Sequence, residues 1–250
     1  MNEPLWALAS GCVPDAPPWE IPRIAHAAGF SASGMWVDPK TTWQGDALAK
    51  TVDALEDTGI DLVDVEVVWL DEASGKSGIQ GLIVETGLLL GARNVLVVSR
   101  HDDVEAAKRQ FEDLCVLAGG GIRIVLEFAE FSAVKSLSSA IDFVTSVGHP
   151  AGGVLIDLMH LNRSGEAMPN LELESNRHLF PYIQGCDFWQ DSAALSGAQY
   201  IEAAIDARCP LGEGEAPASN ILAMGQSTLD VSLEIRSKRL RDEFPDPVER

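Results

Sequence analysis

Four apolar runs in the second half of the chain each close on a side chain that offers oxygen. They are "IVLEF" at Glu127, "VLIDL" at Asp157, "PYIQGCD" at Gln184 and "VSLEI" at Glu234. A short apolar run bounded by glycine or polar loop residues reads as a strand buried on both faces. A carboxylate at the end of such a strand is costly unless something pairs with it or binds it. In "VLIDLMHLNRSG" the plain structural role for Asp157 is to cap the turn that follows, with His160 a satisfied, half-buried histidine. Three carboxylates drawn together would repel unless they were partly protonated or held a cation, and a divalent metal is the simplest answer.

The question is then which elements bring these residues together. "LWALAS" reads as a first strand and "WEIPRIAHAAGF" as a helix closing at Gly29. "GMWV", a helix over "GDALAKTVDALEDTG", the strand "DLVDVEVVWL" and the helix "IQGLIVETGLLLGA" continue the alternation. "NVLVVS" is a fourth strand, and behind it Val104, Ala107, Phe111 and Leu114 recur at helical spacing after the expected cap Asp102. "IRIVLEF" is the fifth strand, "SLSSAIDFVTSVG" a helix, "GGVLIDL" the sixth strand, and "LELESNRHL" a shorter helical stretch. "PYIQGCDF" and "LDVSLEIRS" make the seventh and eighth strands.

Eight strand-helix units in 250 residues match an α/β chain folded as a (β/α)8 TIM barrel. The competing architecture, an open doubly wound sheet, usually carries GxGxxG at its first turn, and "SGCVPDAPPWE" stands there instead. Only "KRLRDEFPDPVER" follows the last strand, so the final helix is expected to be short or truncated. No repeat or linker splits the chain, and a single domain over 1–250 is expected. In such a barrel the carboxyl ends of the strands form the active site, so Glu127, Asp157, Gln184 and Glu234 converge on one half of its mouth.

Composition narrows the partners. With 18 Lys plus Arg against 38 Asp plus Glu, the formal charge is −20, a field that repels nucleic acid and anionic membrane surfaces. A small molecule is the expected ligand. The opening "MNEPLWALAS" lacks a basic n-region, and the most apolar stretch is interrupted by Glu85, so a cytoplasmic protein with neither signal peptide nor membrane span is expected. The four cysteines, Cys12, Cys115, Cys186 and Cys209, are far apart and form no CxxC pair, which argues against a zinc finger or a disulfide scaffold.

Taken together, a strand ending in Glu, then "DLMH" with a following "RSG", then a strand leading to Asp187, then "GEGE" and a last strand ending in Glu, resemble the sugar phosphate isomerase/epimerase family of xylose isomerase-like barrels. The resemblance spans nearly the whole chain. It implies one divalent metal held by Glu127, Asp157, Gln184 and Glu234. It also implies proton exchange by Glu127 and Glu234 at a carbon next to a carbonyl, and a substrate contact from His160. The family pattern usually has His where Gln184 stands, three residues before Asp187. An all-oxygen ligand set suits Mn²⁺ or Mg²⁺ better than Zn²⁺.

Other candidates are less specific. In "RCPLGEGEAP" Arg208 is a candidate for a substrate hydroxyl or carboxylate, while Gly212 and Gly214 read as a tight turn with Glu213 and Glu215 solvated. Arg236, by alternation from Glu234, faces the same mouth or pairs with an acid. Trp36 and Trp69 wall the pocket or belong to the core. Glu66 and His101 read as structural rather than catalytic. The expected function is metal-assisted isomerisation or epimerisation of a sugar, inositol-like or cyclic polyol carbonyl compound. Dehydration of an inosose or dehydroshikimate type shares the same first step, and a homo-oligomer is compatible with either. Two other classes compete: an apurinic endonuclease, disfavoured by the charge, and a non-catalytic binding barrel in which Gln184 marks a decayed metal site.

Overall fold

The computed structural model of the protein describes residues 4–169, 175–190, 195 and 197–250. Eight parallel strands close into a barrel: β1 (Trp6–Leu8), β2 (Ala32–Trp36), β3 (Asp61–Leu70), β4 (Asn94–Ser99), β5 (Arg123–Glu127), β6 (Gly152–Asp157), β7 (Tyr182–Gly185) and, after a two-stranded ribbon of β8 (Asp187–Phe188) and β9 (Arg208–Cys209), β10 (Asp230–Leu233). Helices cover the strands: α1 (Ile21–Ala27), α2 (Ala47–Thr58), α3 (Glu72–Ser77), α4 (Ile79–Leu90), α5 (Val104–Ala118), α6 (Leu137–Val147), α7 (Leu158–Arg163), α8 (Gly197–Asp206), α9 (Ala218–Gly225) and α10 (Lys238–Glu243). The α/β barrel architecture read from the sequence is the one observed, and α10 is a short final helix of 6 residues. Among the described residues no helix is long and apolar enough to cross a membrane.

Local chemistry explains the boundaries. The helix expected behind Asp102 is capped instead by Asp103, whose carboxylate accepts the amide hydrogens of Glu105 and Ala106, while Asp102 stays exposed. Ser136 and Ser139 form a capping box at the start of α6. Gly87 lets α4 lie close on the barrel, because a Cβ there would stand 2.8 Å from both Ile122 and Val65 side chains. Residues 171–174 of the expected "LELESNRHL" helix lie outside the described residues, and the rest of that stretch holds a 3-10 turn at Arg177–Leu179.

The seventh expected strand does not run through "PYIQGCDF". The chain leaves the barrel after Gly185, and Asp187–Phe188 pairs antiparallel with Arg208–Cys209. Asp187 causes the break: its carboxylate accepts the amide hydrogens of Gly212 at 2.9 Å, Ala216 at 2.9 Å and Phe188 at 2.8 Å, tying it to the following loop. The eighth expected strand likewise stops at Leu233, with Glu234 just beyond it, its amide donating to the Gly185 carbonyl at 2.9 Å.

Two cores result. The outer one fills the space between strands and helices, and the inner one packs Ala7, Ala32, Val63, Leu96, Val98, Val125, Leu155 and Tyr182 inside the barrel. Above that apolar layer the interior turns polar. In parallel strands register partners face the same side, and side chains two apart along a strand share a face. Glu127 is opposite Leu155, an inner residue, so Glu127 and Asp157 face inward; Asp157 is opposite Gln184, and Gln184 opposite Ser232, which carries Glu234 to the same side.

Candidate active site

The strand ends hold the polar side chains in a buried cluster. Asp157 caps α7: its Oδ1 accepts the amide hydrogen of His160 at 2.9 Å. That cap fixes the first turn of α7 and buries the His160 ring, which meets Phe131 edge-on with centroids 5.5 Å apart. Ligand atoms of Glu127, Asp157 and His160 all lie within 4.8 Å of one another. Gln184 is fully buried, and neither its Nε2 nor its Oε1 has a hydrogen-bond partner among the described residues.

Arg208 organises the other side. Its backbone amide donates to the Arg236 carbonyl at 3.0 Å and its Nε to the Ala204 carbonyl at 2.8 Å, which fixes the guanidinium. From there Nη1 reaches Asp157 Oδ2 at 2.5 Å, Glu234 Oε2 at 3.0 Å and the Cys186 sulfur at 3.4 Å. Glu234 falls outside the Glu127–Asp157–His160 set and is held by Arg208 instead. All four cysteines are free and buried.

These placements set the protonation states. Burial alone would raise Asp157, but the charge of Arg208, then His160, outweighs it and holds the carboxyl down at about 2. Burial pushes Glu234 up to about 8, with Asp157 and Glu66 adding to the rise and Arg208 opposing it. Burial, then the charges of Glu234 and Asp157, raises Glu127 well above the usual carboxylate range. Burial lowers His160 to about 4 against the pull of Asp157, so its imidazole is neutral at pH 7.

Of the remaining candidates, Trp36 and Arg236 come together at the mouth, the guanidinium 5.4 Å from the ring centroid. Trp69 is covered by the Arg100 guanidinium, 3.2 Å from its ring centroid. His101 stays at the start of α5, where its Nδ1 accepts the Asp103 amide hydrogen at 3.2 Å. Glu66 is buried beside the cluster, accepting the Ser10 hydroxyl, and burial, then Asp64, pushes it up to about 7. Asp64, raised to about 7 chiefly by burial, is a further buried acid that a reading by strand ends misses. Both stand out in "DLVDVEVVWL" as charges inside an apolar strand. Gly212 has the left-handed φ of 88° expected of a turn, and Glu213 pairs with Arg239 at 2.6 Å on the surface.

The donor set suits a divalent cation. Glu127 and Asp157 supply hard oxygens, His160 a neutral imidazole, and Gln184 a buried amide with unmet hydrogen-bonding capacity.

No family model matches the chain, and no curated protein matches it in sequence. Solved structures do. A xylose isomerase-like TIM barrel/4-hydroxyphenylpyruvate dioxygenase fusion protein is 20% identical, with TM-score 0.76, over 95% of this chain and 39% of its own. This chain thus spans about two fifths of that protein. The fold is that of the xylose isomerase-like TIM barrels. The IOLI protein, crystallised with a zinc atom bound, shares this barrel at TM-score 0.77 and 15% identity, over 98% of this chain and 94% of its own. The probable 3-DHS dehydratase AsbF of Bacillus anthracis shares it at TM-score 0.73 and 14% identity, over 98% and 97%. At these identities the likeness is one of fold, and the xylose isomerase-like barrel is the frame in which the cluster has to be read.

Proposed function

We propose that the protein is an isomerase or epimerase that moves a proton at a carbon next to a carbonyl, on a small polyhydroxylated or cyclic substrate, with a divalent cation bound in the cluster. The observation that carries this reading is the buried cluster itself: Glu127, Asp157 and His160 offer ligand atoms within 4.8 Å of one another, and Arg208 joins Asp157 to the second buried glutamate, Glu234. Glu127 and Asp157, with His160 or Gln184, would hold a cation such as Mn²⁺ or Mg²⁺, which when bound polarises a carbonyl oxygen. Arg208 keeps Asp157 ionised and orients Glu234; one glutamate takes the proton and the other returns it. The apolar layer below keeps bulk water out of the barrel floor.

Dehydration begins with the same proton abstraction, and the AsbF likeness keeps it as the second reading. The test is incubation in deuterated water with a panel of ketoses, inososes and dehydroshikimate, followed by mass spectrometry. Exchange of the α-hydrogen is expected in at least one compound, falling about a hundredfold or more in Glu234→Gln and in Glu127→Gln, the usual scale of general acid-base catalysis. A new double bond seen by ultraviolet absorbance identifies dehydration. No exchange across the panel, with no stoichiometric metal in protein purified without chelator, would point to a non-catalytic binding barrel.

A further inference from the structure

Two arginines reach the mouth of the barrel, and their surroundings differ. Arg208 is engaged through Nη1 with Asp157 and Glu234 and through Nε with the Ala204 carbonyl. Arg236, two residues past Glu234, makes no side-chain hydrogen bond or ion pair among the described residues, and its Nε is buried without a partner. It is nonetheless held in place. Its stem passes over Gly11, where a Cβ would stand 2.7 Å from Cδ, and its guanidinium faces the Trp36 ring. The charge acts on both Glu66 and Glu234, so Arg236 lies within electrostatic reach of the proton-transfer cluster.

The guanidinium borders a cavity of about 230 Å³ that Ser10, Trp36, Asp38, Thr41 and Thr42 help to line. Of the other polar groups there, Ser10 donates to Glu66, Asp38 accepts from the Lys40 amide at 2.9 Å and the Thr41 hydroxyl at 2.7 Å, and Thr42 offers a neutral hydroxyl. Arg236 is the cation in this lining, a planar fork whose geometry matches an oxyanion. With no hydrogen bond or ion pair of its own among the described residues, that fork is open to an anion in the cavity.

We propose that this cavity receives an oxyanion of the substrate, carboxylate or phosphate, on Arg236 with Trp36 at its back, which makes the substrate a small acidic carbonyl compound rather than a neutral sugar. The proposal rests on the proton-transfer reading of the adjoining cluster, and a carbonyl next to such an anion would lie toward Glu66 and Glu234.

The test titrates the full chain with inorganic phosphate, with the three-carbon dicarboxylate tartronate and with neutral glycerol, read by calorimetry and by tryptophan fluorescence. Saturable binding of at least one anion is expected, with none of glycerol; whichever anion binds identifies the group as phosphate or carboxylate. Arg236→Gln should weaken that binding about tenfold or more, Arg236→Lys less so, because charge remains while the fork is lost. Gly11→Ala should weaken it by displacing the arginine stem without changing any charge. Circular dichroism checks that each variant folds. Equal anion binding by the wild type and Arg236→Gln, or no saturable anion binding by the wild type, overturns the proposal. Deuterium exchange is read separately. Anion binding that depends on Arg236, without exchange on any carbonyl compound, would support the subsite and sink the proton-transfer reading. Exchange on neutral sugars unaffected by Arg236→Gln would do the reverse.

Discussion

Replacing Arg208 by methionine would leave Asp157 and Glu234 buried without their shared cation. The wild-type contacts are at 2.5 and 3.0 Å, and all three side chains are buried. Removing one partner of a buried ion pair costs about 3–5 kcal/mol, because the charge left behind has neither water nor a counter-ion. For a chain of this size each kcal/mol shifts Tm by about 2–4 °C, so Arg208→Met should lower Tm by roughly 6–20 °C. The double variant Arg208→Met with Asp157→Asn should recover part of the loss, since the amide no longer carries the orphaned charge, and the double-mutant cycle isolates the pairwise coupling. Calorimetry or urea denaturation at pH 7 in the presence of chelator measures both quantities. Adding Mn²⁺ should stabilise Arg208→Met more than the wild type, because a bound cation can take over the neutralising role. A destabilisation below about 1 kcal/mol, the range of exposed pairs, would refute the reasoning: Arg208 would then not be what holds the acidic cluster together.

Two further outcomes follow from the same cluster. Gln184→His should tighten metal binding and shift preference toward Zn²⁺ or Co²⁺, since an imidazole is softer than an amide oxygen; metal analysis after dialysis against a mixture reads the change. With chelator present, Tm should rise as pH falls from about 8 toward 5, because Glu234, Glu66 and Asp64 have folded values raised to about 8, 7 and 7. A raised acid favours the fold below its unfolded value and loses that contribution as pH rises through the folded one. Asp157, depressed to about 2, has the opposite sign: its stabilisation is full above 3.8 and lost as pH falls toward 2. Asp157→Asn should therefore remove the acid-side loss and leave the part of the other limb that Glu66 and Asp64 carry.

The sequence carried the barrel unevenly, for reasons that can be traced residue by residue. "NVLVVS" and "DLVDVEVVWL" match β4 and β3 end to end, because a strand buried by helices on one face and by the barrel interior on the other is marked by composition alone. The inward placement of Glu127, Asp157, Gln184 and Glu234 follows from period-two alternation once the strands are in register. The ribbon of β8 and β9 is of another kind. It exists because Asp187 binds amides 25 and 29 residues away, and no periodicity announces that. Helices α8 and α9 occupy the stretch between the seventh and eighth barrel strands, where a strand-by-strand reading assigns only a loop.

Arg208 shows the same limit at the level of the site. Beside "GEGE" it reads as a contact for a substrate hydroxyl or carboxylate. Its partner Asp157 is 51 residues away along the chain, and only the ribbon of β9 with β8 brings the two together. An arginine that reads as a substrate contact thus stands at the centre of the acidic cluster, where it keeps Asp157 charged and holds Glu234. Arg236, which reads equally well as the partner of an acid, has no such partner among the described residues. Which of two neighbouring arginines is neutralised depends on where the chain leaves the barrel after Gly185, a decision taken by Asp187 and not by either arginine.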